Sequence, residues 1–144
     1  LTARSEDCLT RSMSVSQINL VVSDLERSRA FYEAVGCRLR PIMLPGNEAP
    51  GAWAATTGFA PVCLHGTEFA AWWDSSAPAA AAGSATLDVT IDARPGAVAF
   101  VETIRSHGGR VVQELADMPW GQSYAVVADP DGYRWGIRSA LSTE

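Results

Sequence analysis

One pattern of residues occurs twice in this 144-residue chain, and it leaves few folds open. Residues 17–22 alternate. Ile18, Leu20 and Val22 point one way; Gln17, Asn19 and Val21 point the other. Residues 86–91 repeat this, with Leu87, Val89 and Ile91 opposed to Thr86, Asp88 and Thr90. Period 2 predicts a half-buried strand in each place. After each strand comes an acidic turn and an amphipathic helix. Ser23-Asp24-Leu25-Glu26 reads as a capping box with Ser23 as N-cap and Asp24 as the rival cap. Leu25, Phe31 and Val35 form the apolar stripe, and Gly36 supplies a left-handed end. In the second copy Pro95 opens a helix carrying Ala97, Val98, Val101 and Ile104, and Gly108-Gly109 closes it. Asp24 matches Asp92 and Phe31 matches Phe100, at offsets of 68 and 69 residues. The repeat is weak in identity but keeps one element order, βαβββ twice.

The remaining segments fill in that plan. Residues 37–41 read as a strand and 44–52 as a Pro/Gly loop. Strands are expected near 53–59, 61–65 and 68–73. Residues 74–84 are small and polar and read as the linker between a module at about 15–74 and another at about 85–138. Residues 110–114, 124–128 and 134–138 are the later strands. Between the last two, Asp129-Pro130-Asp131-Gly132 is a tight turn: Pro130 presets one dihedral and Gly132 accepts a positive φ. Residues 1–14 read as an extension or leader, with Met13 as a natural start, and 139–144 as a tail. The fold class is α+β. A helix covers one face of each sheet, so the other face must be filled or used.

The segments QINLVVSDLERSRAFYEAVG (17–36), TLDVTID (86–92) and ADPDGYRWG (128–136) resemble the vicinal oxygen chelate superfamily. That superfamily includes glyoxalase I, extradiol dioxygenases, fosfomycin-resistance enzymes and bleomycin-resistance proteins. The likeness spans residues 15–138. It implies an open, cup-shaped mixed sheet with helices outside, the cup being built within one chain or across a dimer. In metal-dependent relatives four cup-facing positions hold a divalent ion through His, Glu or Gln. Those positions fall here on Gln17, Ala70, Thr86 and Gly136, and only Gln17 donates well. Shifting a strand brings up a displaced oxygen-rich alternative of Gln17, Glu68 and Asp88. His65 reads as a turn residue, and His107 as a surface complement to a helix C-terminus.

The resemblance therefore implies the metal-free, bleomycin-resistance-like branch: a homodimer that sequesters an aromatic or cationic, antibiotic-like molecule, with no cofactor. The alternative is an enzyme on the same fold, either a metal-dependent lyase or dioxygenase or a metal-free catalyst with Asp88 or Glu68 as base. A drug-binding cup wants flat aromatic surfaces and a few polar anchors. The chain has five tryptophans. Alternation puts Trp72 in the cup and Trp73 and Trp135 on the helix side, while Trp53 and Trp120 belong to loops at the rim. The polar cup residues are Gln17, Asn19, Thr86, Asp88, Thr90 and Arg134. An Asp88–Arg134 pair across the cup and a ligand role for either residue are both open. A net charge of −5 disfavours nucleic acid and anionic membranes as partners. No apolar run is long enough to span a bilayer. Three scattered cysteines, Cys8, Cys37 and Cys63, argue for a reducing cytoplasm over a disulfide framework.

Overall fold

A computed structural model of the chain describes residues 15–44, 46–76 and 85–142. The first module runs β1 (Ile18–Val21), α1 (Leu25–Ala34), β2 (Arg38–Met43), β3 (Pro50–Thr57), β4 (Val62–His65) and a short α2 (Thr67–Trp73). The second runs β5 (Thr86–Thr90), α3 (Arg94–Ser106), β6 (Arg110–Asp117), β7 (Ser123–Ala128) and β8 (Arg134–Ser139). Each module forms a four-stranded mixed sheet, in the orders β1-β4-β3-β2 and β5-β8-β7-β6. The expected α+β plan of two βαβββ modules is present. The proposed extension at 1–14, and most of the linker at 74–84, lie outside the described residues.

Three details depart from the sequence reading. Asp24, not Ser23, caps α1: its Oδ1 accepts from Arg27 N at 3.0 Å. Ser23 is drawn away because its hydroxyl donates to Asp131 Oδ1 at 2.6 Å, across the module boundary. β3 starts at Pro50, inside the predicted loop. The segment 68–73, expected as a strand, is the helix α2. The helix sequence, Thr67-Glu-Phe-Ala-Ala-Trp-Trp73, is a short and largely apolar run, for which alternation and helical period cannot be told apart. As a helix it buries Phe69 and Ala70 on one side. Gly36 has φ +111°, as its place at the end of α1 requires.

The helix-facing sides of both sheets share one core. Leu20, Val22, Phe31 and Leu64 of the first module join Ala97, Val101, Val127 and Ile137 of the second. Phe59 bridges them, packing edge-on against Phe100 at 5.2 Å and Trp135 at 5.1 Å. Tyr32, fully buried, donates to Asp129 Oδ2 at 2.6 Å and accepts from Trp135 Nε1 at 3.1 Å. Burial of both partners, which favours their neutral forms, raises the Tyr32 and Asp129 pKa values. Since each sheet turns its helix side to this common core, its other face lies on the outside of the chain.

Candidate functional site

The outer face of the first sheet carries a cavity of about 510 Å³, bounded by Gln17, Asn19, Ile42, Cys63, His65, Phe69 and Trp73. Strand alternation supplies the floor, because Asn19 and Cys63 are register partners on β1 and β4. α2 supplies the wall. Phe69 and Trp73 are four residues apart, hence on one side of that helix. Phe69 anchors it in a satellite cluster with Leu44, Ala52, Ala54 and Cys63. His65 meets the Phe69 ring edge-on at 4.9 Å, and burial lowers its pKa below the usual imidazole value. Burial also pushes the Cys63 thiol up, only partly countered by the Arg40 charge. Both groups are therefore neutral at neutral pH. Gln17 donates through Nε2 to Asn19 Oδ1 at 2.7 Å, forming a small amide ladder on the wall.

The outer face of the second sheet has the same geometry and different chemistry. Asp88 and Gly136 are register partners on β5 and β8. Tyr124 donates its hydroxyl to Asp88 Oδ1 at 2.7 Å. Arg138 donates from Nε and Nη2 to Asp88 Oδ2 at 2.9 and 2.8 Å. Partial burial, and then the Asp88 hydrogen bond, raise the Tyr124 pKa. Trp120 flanks Tyr124 with ring centroids 6.0 Å apart. A Cβ placed on Gly136 would collide with Asp88 Oδ1 and the Tyr124 hydroxyl, so the missing side chain is what admits their hydrogen bond.

Equivalent rungs of the two sheets can be read from these registers. Gln17 matches Thr86, Asn19 matches Asp88, Cys63 matches Gly136, and His65 matches Arg138. The second family position thus moves from Ala70, a buried residue of α2, to Cys63 on β4. The four positions become Gln17, Cys63, Thr86 and Gly136. One amide, one thiol held neutral by burial, one hydroxyl and one absent side chain do not fit a divalent ion. The displaced alternative is not assembled within the chain: Gln17 lines the cavity, Glu68 lines a separate hollow beside Ser23 and Gly66, and Asp88, on the other sheet, is held by Arg138. Among the described residues no group of three or more His, Cys, Asp or Glu is placed to hold a metal.

The remaining sequence-predicted residues divide. Trp53 is not at the rim. It lies on the helix side, under the Arg29 guanidinium at 4.5 Å, with Nε1 buried and without a hydrogen-bond partner among the described residues. Neither Trp72 nor Trp73 lies where alternation puts it. Trp73, expected in the core, lines the cavity with its ring still largely exposed, while Trp72, expected in the cup, is turned by the helix away from the cavity. Trp135 is buried, as alternation predicts, and Trp120 sits at the edge of the second face. Arg134 donates to the Gly132 carbonyl at 2.6 Å, and Asp88 pairs with Arg138 instead. Sequence reasoning missed Tyr124 and Arg138. Arg138 shares the parity of Arg134, so alternation was the signal that could have found it.

A family model matches residues 14–137, described as the glyoxalase/bleomycin resistance protein/dioxygenase superfamily. The chain belongs to that superfamily. Solved structures share its fold. A glyoxalase-related enzyme from Fulvimarina pelagi is 24% identical, with a TM-score of 0.73 over 88% of this chain and 88% of that one. A superfamily protein from Nocardioides is 20% identical, with a TM-score of 0.69 over 100% and 96%. A lactoylglutathione lyase from Agrobacterium tumefaciens is 18% identical, with a TM-score of 0.62 over 88% and 92%. No curated protein matches the chain. No helix among the described residues is long and apolar enough to cross a membrane.

Proposed function

We propose that this superfamily member binds and sequesters a flat aromatic, antibiotic-like small molecule without a metal ion. The observation that carries this reading is the fate of the paired positions Cys63 and Gly136. One sits in an apolar, ring-walled cavity; the other lies beneath a Tyr124–Asp88 hydrogen bond. The cavity's aromatic wall suits a planar ligand. Asp88 does not act as an anchor for a cation, because Arg138 neutralises it. The same ion pair, with the Tyr124 hydrogen bond, makes Asp88 a poor general base. Glu68 lies away from the cavity. Binding is therefore the reading over catalysis.

The working unit in this proposal is a homodimer. The two outer faces of one chain flank a shared core and do not confront each other, so a closed cup needs the second-sheet face of another copy. Exposed Trp73 and Trp120, at 67% and 60%, support this, since large apolar surfaces beside a cavity gain from cover. The buried free thiols of Cys37 and Cys63 support a cytoplasmic setting. The test is metal content by plasma mass spectrometry after incubation with Ni²⁺, Zn²⁺, Fe²⁺ and Mn²⁺ and desalting. The expected result is no stoichiometric metal; retention of one ion per cup would overturn the reading. Sedimentation velocity checks the dimer, and a monomer at high micromolar concentration would remove it.

A further inference from the structure

Resting on the aromatic-binding reading, the cavity wall specifies the ligand further. Gln17 and Asn19 stand two residues apart on one strand face, and one N–H···O bond joins their amides. That bond uses the Asn19 carbonyl and one Gln17 N–H. It leaves Gln17 Oε1 as an acceptor and Asn19 Nδ2 as a donor, neither with a protein partner among the described residues. Exchanging O and N in both amides swaps the roles and still leaves one donor and one acceptor. The rest of the cavity is uncharged. His65, Phe69 and Trp73 offer ring surfaces, and Ile42 and Cys63 offer apolar floor. Among the described residues, the exposed Arg40 places a positive charge near Cys63 on the floor, which opposes a cationic ligand.

We propose that the cavity selects an uncharged planar heteroaromatic with a lactam-type edge, an N–H donor beside a C=O acceptor, which pairs with the Gln17–Asn19 ladder. The donor and acceptor of such an edge lie in the ring plane. The ring can then stack on Trp73 or Phe69 while its edge meets both amides. A purely apolar ring would leave the two amide groups to lose water without replacement.

Isothermal titration calorimetry of the full-length protein with four probes on one ring frame tests this. 2-Quinolone presents the complete edge. 1-Methyl-2-quinolone blocks the donor, quinoline lacks the carbonyl and the N–H, and N-methylquinolinium is a cation. The expected order puts 2-quinolone first, about tenfold tighter than its 1-methyl analogue, the worth of one well-placed hydrogen bond. The cation should bind weakest. Gln17→Leu, which removes the acceptor for the ring N–H, should collapse the difference between the two quinolones, and Glu102→Gln, on the exposed side of α3, should preserve it. Equal binding of the two quinolones, or tightest binding of the cation, would overturn the lactam inference while leaving aromatic binding intact. No binding of any probe would overturn both.

Discussion

The two outer faces share one topology and one register, yet one is an apolar cavity and the other an exposed ionic cluster. On the first, Asn19, Cys63 and His65 are neutral, and α2 folds over them. On the second, the equivalent Asp88, Gly136 and Arg138 form a charged, hydrogen-bonded patch, and no helix comes after β8 among the described residues. The frame decides where side chains point. The helix after β4, and the residue at one shared rung of β4 and β8, decide the chemistry. Fold membership therefore does not transfer a donor set from relatives to this chain.

The largest break in the comparison should come from the anchor of α2. Phe69 is 7% exposed and holds the helix to the first sheet. Phe69→Ala should cost about 3 kcal/mol, the low end for a large aromatic truncation because the cluster is small. It should also abolish aromatic binding. Trp120→Ala on the second face should stay within about 0.5 kcal/mol, because that ring is exposed and its contact with Tyr124 is a loose one at 6.0 Å. Urea unfolding midpoints measure both, and equal costs would mean that α2 does not shape the first face.

The next effect probes the second face. Gly136→Glu places a carboxylate at the rung equivalent to Cys63, but the space is taken by Asp88 and Tyr124. The flexible ends of those side chains can yield, so the cost should be about 1–2 kcal/mol. Adding Asp88→Ala should recover part of it, and a double-mutant cycle reads the coupling. Additive costs would show that the Gly136 space and the Asp88 hydrogen bond are independent. Tyr124→Phe removes only the donated bond to Asp88 and should cost at most about 1 kcal/mol in the same assay.

How much of this is legible in the sequence depends on the kind of signal involved. Leu20 and Val22 against Gln17 and Asn19, and Asp129-Pro130-Asp131-Gly132 as a turn, are local and periodic, so the modules and their inward and outward faces can be read. Cap choice cannot. Asp24 wins over Ser23 because Asp131, over a hundred residues away, takes the Ser23 hydroxyl. The segment at 68–73 misleads because six residues with two tryptophans satisfy either period. That ambiguity carries Ala70 and Trp72 into the site and leaves Cys63 and Trp73 out. Alternation finds Asp88, but its partner depends on whether Arg134 or Arg138 reaches it. Only the carbonyl of Gly132, which holds Arg134, decides that.

The smallest expected effect sharpens the contrast through pH. Burial against Phe69 holds the folded-state pKa of His65 below the ordinary imidazole value. Above about pH 6.5 the imidazole is neutral in both the folded and unfolded chains and makes no difference to stability. As pH falls through that value, the unfolded chain takes up the proton first. Stability then drops, and the drop levels off once pH is below the folded pKa. His65→Phe keeps a ring in place and removes the titration. The wild type should therefore lose more urea stability than His65→Phe between about pH 7.5 and about pH 5.5. Tyr124→Phe should track the wild type over that window, because the Tyr124 phenol, raised above its ordinary value by partial burial, stays protonated throughout it. Parallel pH profiles for wild type and His65→Phe would mean that the imidazole stands in water, and the cavity would lose its neutral, buried wall.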